Sequence, residues 1–495
     1  MKRAILLALV AAVLGPVVTP VPAAAASGAD VLSRIDHIVV IYQENWSFDS
    51  LYGKFPGANG LANAGDSVKQ VDKSGQPYAT LPRPIDNNQK PAAPDPRFPA
   101  NLPVQPFDAA KYVPDDMKTG DLVHRYYQEQ YQIDGGKMDK FIAWSDAAGL
   151  VMSYYDATSL PEGKLAQQYV MDDNFFHAAF GGSFLNHIFL ICACAPSFFN
   201  APASAVAKLD ANGVMVQDGS VTPDGFAVNT SFSVNTPHPA TAAPASLVPN
   251  QSLPTIGDRL NDRNLSWAWY SGGWNDAIAG HPDPLFQFHH QPFVYFTRYA
   301  DGTQLKKDHL KDEQDFLAAA KGGALPAVSF VKPIGEDNEH PGYADLLRGQ
   351  QHVADLVQAV QQGANWKDTM VVITYDEHGG RWDHVAPPKV DQWGPGTRVP
   401  TIVISPLAKK GFVDHTQYDT TSILRTIEQR WDLPPLASRD ARAASLVNAL
   451  DPAQAPAVAA AGPSPSVAVI VLGALVVLAV AGLVAGALVR RGNAA

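Results

Sequence analysis

The chain has 495 residues, a net charge of −11 and 46% hydrophobic residues. That is enough apolar material for one large α/β domain or two medium ones. The acidic balance speaks against a nucleic-acid backbone as the main partner. Small phosphorylated substrates stay open, because one local cation reverses the field inside a cleft.

The elements read as follows from the N-terminus. Lys2 and Arg3 precede an apolar run, Ala4 to Leu14, and the small residues Ala23 to Ala26 follow. This is the pattern of a signal peptide over 1–26. A catalytic domain is expected over 27–450. Within it, the β-branched runs Ile38 to Tyr42, Thr369 to Tyr375 and Val399 to Ser405 predict buried parallel strands. Tyr169 to Ala178 reads as a further strand, and Phe184 to Cys194 as the helix after it. Helical periodicity covers Leu346 to Gln362 and Thr420 to Trp431. Strands alternating with helices predict a layered α/β fold. Two stretches interrupt the alternation. Residues 74–115 are rich in Pro, Asn and Asp, and 195–253 in Ala, Pro, Ser and Thr. Both are expected as excursions that roof a site.

A Pro/Ala linker over 451–466 leads to an uncharged apolar run, Val467 to Val489, with Arg490 and Arg491 directly behind it. About 20 such residues cross a hydrocarbon core. The following arginines predict a cytoplasmic tail over 490–495 and a catalytic domain outside the cytoplasmic membrane. Cys192 and Cys194 are the only cysteines. On one helix at that spacing a disulfide would be strained, so both read as buried thiols.

Ligands of open α/β sheets bind beyond the carboxyl ends of the strands. Glu44 and Asn45 follow the first strand, and Asp376 and Glu377 follow a late one. Clustered carboxylates repel unless a cation or proton lies between them, and oxygen ligands suit a divalent ion. The same charges would also suit a solvated rim. Gly181-Gly182-Ser183 turns the chain between a strand and a helix, which puts Ser183 where an N-cap belongs. There it would either face a phosphate at the helix N-terminus or merely cap the helix. His124, His187, His289, His290, His340, His378 and His384 fall in apparent loops near strand ends.

These segments together resemble a known family. Asp36-His37-Ile38-Val39-Val40, Glu44-Asn45-Trp46-Ser47-Phe48-Asp49, Gly181-Gly182-Ser183-Phe184-Leu185-Asn186-His187, His289-His290, Tyr375-Asp376-Glu377-His378-Gly379-Gly380 and Asp383-His384-Val385 look like the motifs of the bacterial phosphoesterases. That family holds acid phosphatases and phospholipases C. The resemblance implies an alkaline-phosphatase-like three-layer α/β/α sandwich. It also implies a divalent metal ion of unspecified identity on Glu44, Asn45, Asp376 and Glu377. Ser183 would be the nucleophile, with His124, His290 and His340 around the phosphoryl group. His289, Asp383 and His384 would be structural or support the site from behind.

The pattern is departed from in three places. Trp46 stands where the family usually has Arg. Tyr418-Asp419-Thr420-Thr421-Ser422 lacks a familiar His. The nucleophile segment is closer to the acid-phosphatase branch, which implies a phosphomonoester substrate. The alternatives are a phospholipase C that cuts headgroup diesters, and an inactive surface protein that binds a ligand.

Overall fold

A computed structural model describes residues 27–454. The expected signal peptide, most of the linker, the apolar run 467–489 and the tail lie outside the described residues. Among the described residues, no helix is long and apolar enough to cross a membrane.

An eight-stranded sheet organises the domain. Its strands in chain order are β1 (His37–Gln43), β2 (Val170–Asp172), β3 (Trp267–Ser271), β4 (Leu310–Asp312), β5 (Val328–Lys332), β6 (Thr369–Tyr375), β7 (Thr401–Ile404) and β8 (Phe412–Asp414). In space they run β4-β3-β5-β1-β6-β7-β2-β8. The central strands β1 and β6 are rich in β-branched residues, and these two and β5 are buried along nearly their whole length. A strand buried on both faces has no need of polar alternation.

Helices cover the sheet in two groups that pack among themselves. The helices α1 (Tyr126–Ile133), α2 (Pro161–Gln168), α3 (Ser183–Cys192), α4 (Glu313–Gly322), α5 (Leu346–Gln362) and α6 (Thr420–Trp431) are the longer ones. One group joins α5 to α2 and α4; the other joins α6 to α3. Helix α5 buries Leu346, Gly349, Val353, Leu356, Val357 and Val360, a stripe at helical spacing, and Asp345 caps it by accepting from the Arg348 N–H. Helix α3 is buried on every side, as its composition demands.

Five expectations change. The strand within Val399 to Ser405 is β7, and it runs antiparallel to both β6 and β2. The segment between β6 and β7 contains no helix, and a parallel neighbour needs a long crossover. Tyr169 to Ala178 is not one strand. It breaks into β2 and a short pair, Phe175–Phe176, that leaves the sheet to join Tyr418–Asp419. The break falls at Asp173, whose carboxylate is occupied by the Asn59 N–H and His415 and whose carbonyl is taken by Arg398.

The helix expected to reach Cys194 stops at Cys192, because Ala193 takes a left-handed φ of 48°. That reversal brings Cys192 and Cys194 to a Cα–Cα distance of 5.2 Å, and they form a disulfide rather than two thiols. Finally, Gly182 is the N-cap of α3 and Ser183 its first helical residue. The serine hydroxyl is thereby released from capping.

Candidate active site

Strand register builds the site. Along the β1–β6 pair, Gln43 lies opposite Tyr375, so Glu44 and Asp376 leave the sheet side by side. The Asp376 N–H donates to the Gln43 carbonyl at 3.0 Å. Asn45 then takes a left-handed φ of 69°. Gly379 packs so closely on this turn that a Cβ there would lie 2.2 Å from the Asn45 carbonyl oxygen. Glu44, Asn45, Asp376 and Glu377 are all buried, so the solvated-rim reading of these charges does not hold.

The third segment is the turn into α3. The Ser183 hydroxyl donates to Glu44 Oε2 at 3.1 Å. Gly181 holds a φ of +89°, and a Cβ there would lie 2.5 Å from the Tyr126 nitrogen; only glycine fits that conformation and that gap. Its N–H donates to Glu129 Oε2 at 2.6 Å. The other oxygen of Glu129 accepts from His177 Nε2 at 2.9 Å and from the Thr397 N–H and hydroxyl, each at 2.8 Å. Burial raises the Glu129 carboxyl, but His177 and His378 outweigh it and hold it down at about 2.

The expected histidines do not share one role. His124 donates its Nδ1 hydrogen to the Leu122 carbonyl, which turns Nε2 toward Asn45 Nδ2 at 3.5 Å and Glu377 Oε1 at 3.8 Å. Its side chain is 19% exposed and lines a cleft of about 570 Å³. His340 donates through Nδ1 to the Pro341 carbonyl and stacks on Tyr343, a wall of the same cleft. Burial lowers its pKa. His290 instead turns inward, its Nε2 3.1 Å from Glu44 Oε1 and its ring stacked on His187.

His187 is not in a loop but inside α3, where its Nδ1 donates to the Ser183 carbonyl. Burial pushes both His187 and His290 well down, and His289 to about 4. Asp383 and His384 belong with Asp49 and Arg398 in a buried ion-pair network, Arg398 gripping Asp383 with two nitrogens. That network braces the rim and presents nothing to the cleft.

Both excursions reach the cleft. Asn87, Asn88 and Lys90 come from the first, and Asn229 and Thr230 from the second. The departing residue Trp46 is buried, donates from its indole N–H to the Glu339 carbonyl at 3.0 Å, and carries the Arg381 guanidinium 3.9 Å over its ring. It therefore ties the Glu44 turn to the residue preceding His340.

A divalent ion fits these residues. Asn45 Oδ1, Asp376 Oδ2 and Glu377 Oε1 are buried without a hydrogen-bond partner, and buried acceptors left unpaired are costly. Burial, then the neighbouring carboxylates, pushes Asp376 and Glu377 well above the usual range. A bound cation would remove both costs at once.

Two residues escaped the sequence reading. Glu129 sits within an ordinary-looking helix and carries no local signal. Lys332 does carry one: it ends the apolar strand β5 at the carboxyl rim. Its ammonium contacts Glu44 Oε1 and the Tyr42 carbonyl, the latter at 2.9 Å. Burial would raise the Glu44 carboxyl, and Lys332, together with His340 and His289, more than cancels this, leaving it below the usual range.

Phospholipase C A of Mycobacterium tuberculosis is 24% identical over 441 residues, covering 81% of this chain and 74% of that protein. The non-haemolytic phospholipase C of Pseudomonas aeruginosa is 23% identical, covering 81% of this chain and 54% of its own length. Non-specific phospholipase C6 of Arabidopsis thaliana is 30% identical over 225 residues, 39% of this chain and 40% of that protein. Among solved structures, an alkaline phosphatase superfamily protein from Vibrio parahaemolyticus aligns over 78% of this chain and 77% of its own, at 10% identity and a TM-score of 0.32. That score is too low for the likeness to bear on this chain. The model of the phosphoesterase family matches residues 35–434, nearly all of the described domain, and the chain belongs to that family of phosphoric ester hydrolases.

Proposed function

We propose that the protein is a phospholipase C-type phosphodiesterase in which Ser183 attacks phosphorus. The observation that carries this reading is the hydrogen bond from the Ser183 hydroxyl to Glu44 Oε2, in a buried setting of unpartnered acceptor oxygens. Relatives named phospholipase C align with four-fifths of the chain. They favour a headgroup diester over the phosphomonoester expected from the nucleophile segment, and so reverse that order.

Glu44, Asn45, Asp376 and Glu377 would hold a divalent ion. When bound, that ion lowers the pKa of the serine hydroxyl and neutralises charge on the phosphoryl oxygens. The rest falls to the chain itself. Glu44 Oε2 receives the Ser183 hydrogen and aims the oxygen. Ser183 Oγ forms a bond to phosphorus as the bond to the leaving oxygen breaks, and His124 in the cleft wall, or His340 packed against it, protonates that oxygen. Water then attacks the phosphoserine phosphorus and gives a proton back to the histidine, and the Ser183 oxygen leaves with the proton held at Glu44, which restores the hydroxyl and releases the phosphate product. Glu129 keeps the Gly181 N–H, and with it the serine turn, in place.

The signal-peptide pattern over 1–26 and the apolar run 467–489 with Arg490 and Arg491 behind it support a domain tethered on the outer side of the membrane; cell fractionation of the full-length chain checks this. For the chemistry, p-nitrophenylphosphorylcholine is compared with p-nitrophenyl phosphate, using the parent chain and Ser183→Ala. The diester is expected to turn over faster, and Ser183→Ala to lose activity by a factor of about 10³ or more. Near-parental turnover in Ser183→Ala would sink the nucleophile. A preference for the monoester would restore the phosphatase reading.

A further inference from the structure

Lys332 stands apart from the residues assigned to the reaction. Only 1% of its side chain is exposed. Its acceptors all belong to one short segment: the Tyr42 carbonyl, the Gln43 carbonyl at 3.5 Å and Glu44 Oε1. Strand register puts it there, since Val331 pairs with Ile41 across β5 and β1, so the next residue lies beside Tyr42.

Glu44 Oε1 is a crowded oxygen. His290 Nε2 is 3.1 Å away, and Glu44, His187 and His290 each offer one ligand atom, all within 4.8 Å of one another. The Nε2 of His187 is buried and has no hydrogen-bond partner. Two imidazoles and a carboxylate form a donor set that suits zinc. The ammonium of Lys332 already lies on the carboxylate of that set. Charge favours the same arrangement: Glu44, Asp376 and Glu377 carry three negative charges, which one divalent ion and one ammonium neutralise. A second divalent ion would overshoot, and would have to approach a fixed cation in a buried place where repulsion is weakly screened.

We infer that Lys332 is the built-in second cation of this site, holding Glu44 Oε1 and barring a second metal ion from the pocket of Glu44, His187 and His290, while Oε2 stays turned to Ser183. The inference rests on the metal-binding reading above and adds the stoichiometry.

The test counts metal on folded protein, independently of turnover. The parent, Lys332→Met and Lys332→Met with His187→Phe are dialysed against zinc, and against manganese for comparison, and bound metal is measured per chain. Circular dichroism reports folding. One zinc ion is expected on the parent, two on Lys332→Met and one on the double variant. Should Lys332→Met not fold, Lys332→Gln, which keeps a donor without the charge, is held to the same numbers. Two ions on the parent, or one on folded Lys332→Met, would overturn the inference and leave the proposed chemistry standing. No ion on the parent would remove the metal reading itself, and this inference with it.

Discussion

Glu129→Gln separates the support of the serine turn from the chemistry at its tip. Glu129 accepts four hydrogen bonds, from His177, from both donors of Thr397 and from Gly181. A glutamine must point its amide nitrogen at one of these donors. Breaking such a buried pair costs about 3–5 kcal/mol at neutral pH. The size of the charge contribution follows from its pKa. The carboxyl drops from an ordinary 4.5 to about 2 on folding, which corresponds to ~3 kcal/mol at about 1.4 kcal/mol per unit. Because the folded value is the lower one, this stabilisation is complete above the unfolded value. It is lost as the pH falls from about 4.5 toward 2.

Urea denaturation of the parent and of Glu129→Gln, at pH 7 and pH 3, reads this contribution together with that of His378, whose ionisation Glu129 favours. The stability gap is expected to narrow by ~2 kcal/mol at pH 3. A gap of equal size at both pH values would refute the assignment of the stabilisation to an ionised Glu129.

The remaining predictions concern the turn and the cation. Gly181→Ala forces a Cβ to within 2.5 Å of the Tyr126 nitrogen at a φ of +89°. The left-handed backbone alone costs ~1–2 kcal/mol, so a lower melting temperature and reduced kcat are expected together; a variant with parental values in both would show that the turn tolerates a side chain. Removing divalent ions with a chelator is expected to abolish turnover and to lower stability by ~3 kcal/mol for a site about 100-fold saturated beforehand. Calorimetry before and after chelation checks this, and readdition of a divalent ion restores both; an unchanged melting temperature would count against the oxygen set as the binding site.

Much of the site was legible because strand ends can be located from local pattern. The runs Ile38 to Tyr42 and Thr369 to Tyr375 are long, β-branched and unbroken, so the acidic residues directly after them could be assigned to one rim before their pairing was known. The helices Leu346–Gln362 and Thr420–Trp431 are legible from end to end, because each begins after a capping aspartate and keeps a regular apolar stripe. Local pattern carries no information about strand direction, however. The β7 run looks like any buried strand, and its antiparallel course comes from the helix-free return after β6.

What the chain by itself determined is the inventory and its order: two carboxylate-bearing strand ends, a Gly-Gly-Ser turn into a buried helix, and histidines scattered between them. Tertiary structure decided which of these meet. The register of β1 against β6 sets Glu44 beside Asp376, and the register against β5 brings Lys332 to the same carboxylate. The left-handed Ala193 joins two cysteines that a continuing helix would have kept apart. Glu129 gains its importance only from the loop folded over it. The reason is common to all of these: a side chain's charge and hydrogen-bonding capacity are written in its own residue, but its partners are set by segments far away along the chain.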